Sequence, residues 1–312
     1  MANFLFSINA TFPIFLLIVI GYVLKRFKIT TKEFVSVSNR INYVLTLPVL
    51  LFIDISKTDI IKVFDLKYVL FCMIVTTVCF FGIWGLSKAL IKDKSIIGAF
   101  VQASFRSSAA VLGVAFIQNM YGNSGMAPLM IIGTVPLYNI YSVIVLTFES
   151  GSNTKNNIKS AFSNIITNPI IIAIFAGVIA SLLRIDFPFI IDKTLSNIAS
   201  VATPMALIAI GAGFEGKKAI AKLKPTIIAS LTKLVIQPAV FLPVAVAMGF
   251  REQKLVALMI MLAAPTTASC YIMASNMDND TTLTSSVIVM TTFMSSVTLT
   301  LIIYILKNMC LI

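Results

Sequence analysis

Ten stretches of this chain are each close to twenty residues long and almost wholly apolar, and no other feature limits the fold so severely. They cover approximately 4–24, 34–53, 68–90, 96–118, 126–148, 165–183, 195–214, 226–250, 255–277 and 281–306. A bilayer core of ~30 Å is crossed by about 20 residues of helix, and inside it every backbone N–H and C=O must be satisfied within the segment. Charged residues make up 12% of the chain and hydrophobic ones 58%, against ~25% and ~45–50% in soluble domains. Too little polar surface exists to cover such helices in water. The pattern predicts an all-α polytopic membrane protein of ten transmembrane helices.

The two halves of the chain resemble each other. Pro13 and Pro169, Gly21 and Gly177, and Pro48 and Pro204 are each 156 residues apart. Around them "FPIFLLIVIGYVL" echoes "NPIIIAIFAGVIA". The polar run "SGSNTKNNIKS" at 150–160 is the best linker. The predicted organisation is a five-helix repeat at 1–149, a linker at 150–163 and a second five-helix repeat at 164–312. Five is odd, so the second repeat enters the membrane in the opposite sense, a recurring plan of secondary transporters.

A net charge of +12 in a soluble protein would point to nucleic acid, but here lysines gather in the short segments between apolar runs. They read as topogenic charge that also attracts anionic lipid, with no nucleic acid implied. Loops one, three, five and seven, with adjoining helix ends, hold 14 Lys or Arg; the opposite side holds eight. The richer side should be cytoplasmic, which puts both termini of this cell-membrane protein outside. The N-terminal run lacks a basic start and is read as a retained helix. Cys72, Cys79, Cys270 and Cys310 show no metal or disulfide spacing.

Within "AFVQASFRSSAAVLGVAF", Arg106 is the eleventh of the 23 residues of the fourth stretch, at the membrane midplane. A central arginine costs ~2.5–3.5 kcal/mol on insertion scales. The twelve acidic residues read as loop or helix-end residues, so the sequence offers no carboxylate at that depth. Either a bound anion supplies the counter-charge, or Arg106 has a structural role, hydrogen-bonding carbonyls freed by a helix break. Pro265 holds the same ordinal position in the ninth stretch, in "LAAPTTASCYIMASN". Proline removes a donor and frees a carbonyl. The expectation is therefore a pair of broken crossing helices, the fourth and ninth, opened at Gly113 and Pro265. Arg106, Ser107, Ser108, Thr266, Thr267, Ser269 and Asn139 are the candidate substrate-binding groups. Half-helix N-termini would add partial positive charge suited to a carboxylate. For the Ser/Thr cluster the alternative is ordinary small-residue helix packing, and for Asn42, Asn139 and Gln237 interhelical hydrogen bonding. Lys233, nearer a helix end, is expected to snorkel to the surface.

The order and spacing of "TLPVLLF" (46–52), "FRSSAAVLG" (105–113), "VPLYNIYSVIVL" (135–146), "NPIIIAIFAGVIA" (168–180), "TPMALIAIGAGF" (203–214) and "AAPTTASCYIMA" (263–274) resemble the auxin efflux carrier family over nearly the whole chain. That resemblance implies crossing fourth and ninth helices and an organic anion bound where they cross, at Arg106, Ser107, Ser108, Gly113, Pro265 and Thr266. The chain departs from the family at Ser108 and Ala115, where asparagine and proline are common. The nearest relative in fold is the sodium–bile acid symporter.

Rival chemistry is poorly supplied. "GAGFEG" at 211–216 ends an apolar helix instead of following a strand, so it is no dinucleotide fingerprint. "GNSG" at 122–125 would need a base, and the chain has no histidine. No enzyme, cofactor or metal centre is expected. The reading is a carrier of small organic anions, mono- or dicarboxylates, with an anion channel or a sodium-coupled symporter as alternatives. A homodimer is compatible with it. With no midplane carboxylate or histidine, any proton movement is expected to ride on the substrate.

Overall fold

A computed structural model of the chain describes residues 2–57, 65–109, 117, 120, 121, 126–150, 163 and 166–312. All regular structure among the described residues is helical: α1 Ala2–Arg26, α2 Lys32–Ile41, α3 Leu47–Ser56, α4 Leu66–Leu90, α5 Ile97–Phe105, α6 Ala127–Glu149, α7 Pro169–Leu182 and α8 Phe189–Gly213. There follow α9 Gly216–Ala221, α10 Leu223–Leu231, α11 Gln237–Ala247, α12 Glu252–Ala263, α13 Ser269–Asn276 and α14 Thr281–Asn308.

Six helical runs are long and apolar enough to cross a bilayer: Lys32–Ser56, Leu66–Leu90, Ala127–Glu149, Phe189–Gly213, Leu223–Ala247 and Thr281–Asn308. The protein is a multi-pass membrane protein. Its outward faces carry Ile74, Phe81, Phe175, Ile179, Phe293 and Leu301, all exposed, an apolar surface that lipid rather than water accommodates.

Two of the runs are not the plain helices the sequence predicts. A π turn at Asn42–Thr46 joins α2 to α3, and another at Thr232–Ile236 joins α10 to α11. Each is followed within two residues by proline, Pro48 or Pro238. A proline ring crowds the carbonyl four residues back and supplies no N–H, and one inserted residue relieves both problems.

The helices sort into two groups by packing. In one, α1 lies on α8, α3 on α7, and α8 also on α2 and α3. In the other, α5 packs against α4, α6, α10 and α14, and α12 against α6 and α11. Helix α1 additionally touches α14. Within the first group two glycines permit close backbone approach. A Cβ on Gly21 would collide with the Ile208 carbonyl of α8, and one on Gly177 would sit 3.1 Å from the Phe52 carbonyl of α3. Positions 21 and 177 are 156 apart, and so are positions 52 and 208.

Contacts outside the helices tie the ends together. Lys222 bridges Asp93 and Asp280 at 3.2 Å each, and Lys25 donates to the Phe214 carbonyl at 2.9 Å. At the other end of α4, Lys254 pairs with Asp65 at 2.6 Å and Lys67 donates to the Met248 carbonyl at 2.8 Å. The predicted linker at 150–163 and the Gly122–Gly125 tetrapeptide lie almost wholly or wholly outside the described residues.

Candidate functional site

The predicted fourth stretch stops being helical at Arg106, whose backbone is extended (φ −80°, ψ 138°). The ninth stops at Ala264 (φ −69°, ψ 153°), as expected of a residue whose α conformation is opposed by the following proline. The two breaks meet: the Ser108 N–H donates to the Pro265 carbonyl at 2.9 Å. Gly113 and Ala115 lie outside the described residues.

A broken helix leaves its last carbonyls without intrahelical donors, and buried ones must be served some other way. Met261 O would have been the partner of an N–H at position 265, which proline lacks; it accepts instead from the Tyr138 hydroxyl at 3.1 Å and the Lys233 ammonium at 3.2 Å. Ser104 O would have faced the Ser108 N–H; it accepts from the Gln237 amide at 2.6 Å. Ala103 O accepts from the Thr266 hydroxyl at 2.7 Å. The Ser107 hydroxyl is placed between the carbonyls of Ile260 at 3.2 Å and Ala264 at 3.4 Å.

Arg106 takes none of these tasks. Its side chain is 3% exposed. Nη2 donates to Asn139 Oδ1 at 2.6 Å, and Nη1 reaches Met273 Sδ at 2.7 Å and Ser142 Oγ at 3.5 Å. Nε is buried without a partner. Among the described residues no carboxylate lies within ion-pair distance of the guanidinium. The structural alternative for Arg106, service to freed carbonyls, is not what the geometry shows. Asn139 is fixed in turn by donating to the Val135 carbonyl at 2.9 Å.

The guanidinium borders a cavity of about 60 Å³ lying between the two helix groups. Its wall contains Leu47, Leu50, Leu51 and Asp54 from α3, Thr203 from α8, and Tyr138 and Asn139 from α6. The breaks contribute Arg106, Ser107 and Ser108 on one side and Thr267, Ala268 and Ser269 on the other. The Thr267 and Ser269 hydroxyls are 3.3 Å apart. These last residues form the entry to α13, so the positive end of that helix dipole faces the same space.

Several expectations need correction. Pro265 and Thr266 do not border the cavity; they brace the crossing. Ser107 borders it, yet its single hydroxyl proton points to backbone carbonyls, leaving only acceptor capacity. Lys233 does not snorkel: it is fully buried and directed at Met261 and, at 3.4 Å, Gln237. Turns to the helix end say nothing of an acceptor lying alongside. Asp54, read as a helix-end residue, does put a carboxylate in the wall of the Arg106 cavity. The argument that no side chain could carry a proton there therefore loses its premise. Sequence reasoning also missed Thr203 and the pair Ser142 and Met273. The usable signal for Asp54 was the spacing Leu47, Leu50, Leu51, Asp54, one stripe of a helix.

The chain matches the family described as membrane transport protein over residues 6–303. It is 22% identical to an uncharacterized transporter of Methanothermobacter thermautotrophicus across 96% of this chain and 98% of that relative. It is 24% identical to the uncharacterized transporter YfdV of Escherichia coli K12 across 86% of this chain and 88% of the relative. The chain belongs to this auxin efflux carrier-like membrane transport family, which is a family of transporters and not of enzymes.

Proposed function

We propose that this member of the membrane transport family is a secondary carrier of small organic anions, mono- or dicarboxylates, that binds its substrate on Arg106 where two interrupted helices cross. The carrying observation is a buried guanidinium with an unpartnered Nε at the wall of a cavity, while other side chains serve the carbonyls freed by the breaks. Buried polar groups in native proteins are nearly always satisfied. A carboxylate entering the cavity would satisfy Nε and neutralise the charge together. The hydroxyls of Ser108, Thr267 and Ser269 and the start of α13 supply further polar partners.

The reading extends to ten spans arranged as two inverted repeats. The glycine contacts at 21 and 177, related by the same offset as their partners at 208 and 52, support it. So does the grouping of end contacts, which join predicted loops one, three, seven and nine at one side and two and eight at the other. The cavity between the two packing groups favours alternating access by movement of the crossing group past α1, α2, α3, α7 and α8. In a cell membrane, the charge bias would place both termini outside.

The test is Arg106→Gln in purified protein. Carboxylate binding should fall at least about a hundredfold, in line with the 2–5 kcal/mol or more lost when a buried charge partner is truncated, with folded yield little changed. Unchanged affinity with lost yield would overturn the reading. Saturable, countertransport-stimulated flux in vesicles identifies a carrier; currents far above carrier turnover would identify a channel.

A further inference from the structure

The cavity that holds Arg106 also holds an acid. Leu47, Leu50, Leu51 and Asp54 follow the spacing i, i+3, i+4, i+7, so a single face of α3 lines the space along roughly 10 Å of helix. Asp54 sits at the far end of that stripe. No other acidic residue, and no basic residue except Arg106, is found in the wall among the described residues. Thr203, Thr267 and Ser269 make up most of the remaining polar lining, and the first half of the α3 stripe is leucine.

A site with one cation and one carboxylate in a small, weakly solvated space discriminates by charge pattern. An ionised aspartate accepts hydrogen bonds and donates none. A second anionic group on the ligand would find no second cation and would meet Asp54 at close quarters, where burial sharpens repulsion. A hydroxyl or ammonium group would find an acceptor there.

Building on the anion-carrier reading, we propose that Asp54 is a specificity residue and that the substrate is a small monocarboxylate bearing a hydrogen-bond donor beside its carboxylate, such as a hydroxy acid or an amino acid. Arg106 takes the carboxylate and Asp54 takes the donor. Dicarboxylates are rejected by the same residue, which narrows the class that Arg106 alone would admit.

Binding of propionate, lactate, alanine and malonate to the purified full-length chain tests this, by calorimetry or thermal shift. In the wild-type protein lactate or alanine should bind at least fivefold more tightly than propionate, and malonate at least tenfold more weakly. Whichever of lactate and alanine leads tells whether the donor is a hydroxyl or a charged amine. Asp54→Asn should reduce the donor advantage below about twofold and improve malonate at least tenfold relative to propionate. Asp54→Ser serves if the asparagine variant folds poorly, and the wild-type ranking needs no variant. Malonate equal to or better than propionate in the wild type, or an unaltered ranking in both variants, would overturn the proposal. If Arg106→Gln abolishes propionate binding while Asp54→Asn changes nothing, only the role of Asp54 falls. If Arg106→Gln binds propionate like the wild type, both readings fall together.

Discussion

Among the described residues, Arg106 and Lys233 are the two basic side chains that are buried, and they solve the same problem in opposite ways. Lys233 lies in a π turn, with its ammonium on Met261 O and Gln237 Oε1, and the Gln237 amide continues to Ser104 O. Those two carbonyls belong to the final turns of α12 and α5, where the negative ends of both helix dipoles come together. The positive charge is answered by the backbone itself. Arg106 is held by neutral side chains, keeps one N–H unanswered and faces a cavity. Burial alone therefore does not mark a binding residue; what distinguishes the two is whether the protein has already furnished the compensation.

The contrast is sharpest in paired variants. Arg106→Gln carries the largest expected effect, the hundredfold loss of carboxylate affinity described above. If Lys233→Met produced that loss and Arg106→Gln did not, the assignment of the two cations would be reversed.

Asn139→Asp comes next. It places a carboxylate where the amide oxygen now stands, 2.6 Å from Arg106 Nη2. The counter-charge would then be internal, and an incoming anion would meet a neutral pair. Affinity should drop about tenfold or more, equivalent to ~1.4 kcal/mol per decade, while the thermal midpoint stays level or rises. A variant that bound carboxylates as tightly as the wild type would show that the positive charge of Arg106 is not what attracts them.

Lys233→Met should act on stability and spare binding. Met261 O keeps the Tyr138 hydroxyl, but Gln237 Oε1 loses its donor, and an unsatisfied buried acceptor costs about 1–3 kcal/mol. Carboxylate affinity should remain within about threefold of wild type. Thermal unfolding in detergent, with and without ligand, separates the two effects.

How legible this arrangement was depends on the range of each cause. Span positions follow from bilayer thickness, a constraint written into every twenty-residue window. The break at Pro265 follows from one residue's missing N–H. Arg106 announces itself because nothing apolar in sequence explains it. Asp54, Lys233 and Thr266 were misread for one shared reason: their roles are fixed by residues 50 or more positions away or more modestly separated in another helix. Thr266 meets Ala103 and Lys233 meets Met261, and periodicity within a single helix does not encode such meetings. The π turns at Asn42–Thr46 and Thr232–Ile236 lay closer to reach, since Pro48 and Pro238 are local causes.

The smallest effect belongs to a cation whose compensation is ordinary and near the surface. Lys222 bridges Asp93 and Asp280, joining the segment before α5 to the start of α14. Hydrogen bonds from Ser95 and then from Lys222 hold the Asp93 carboxyl below its usual range. Burial pulls the Lys222 ammonium down, but hydrogen bonds and charge from the two aspartates outweigh it and leave its pKa raised. A lowered carboxyl pKa contributes stability above its unfolded value near ~3.9, lost as pH falls through the folded value; a raised ammonium contributes below ~10.4, lost as pH rises through its own. The strap should thus be constant between roughly pH 4 and 10 and fail on either side. Exposed pairs of this kind contribute about 0–1 kcal/mol and are screened by salt. Lys222→Gln should therefore lower the thermal midpoint slightly at neutral pH and low salt, with the difference from wild type vanishing in 1 M salt. A loss that persists in high salt, or that extends to carboxylate affinity, would mean that this surface cation is coupled to the crossing as Lys233 is and would erase the distinction drawn between exposed and buried compensation.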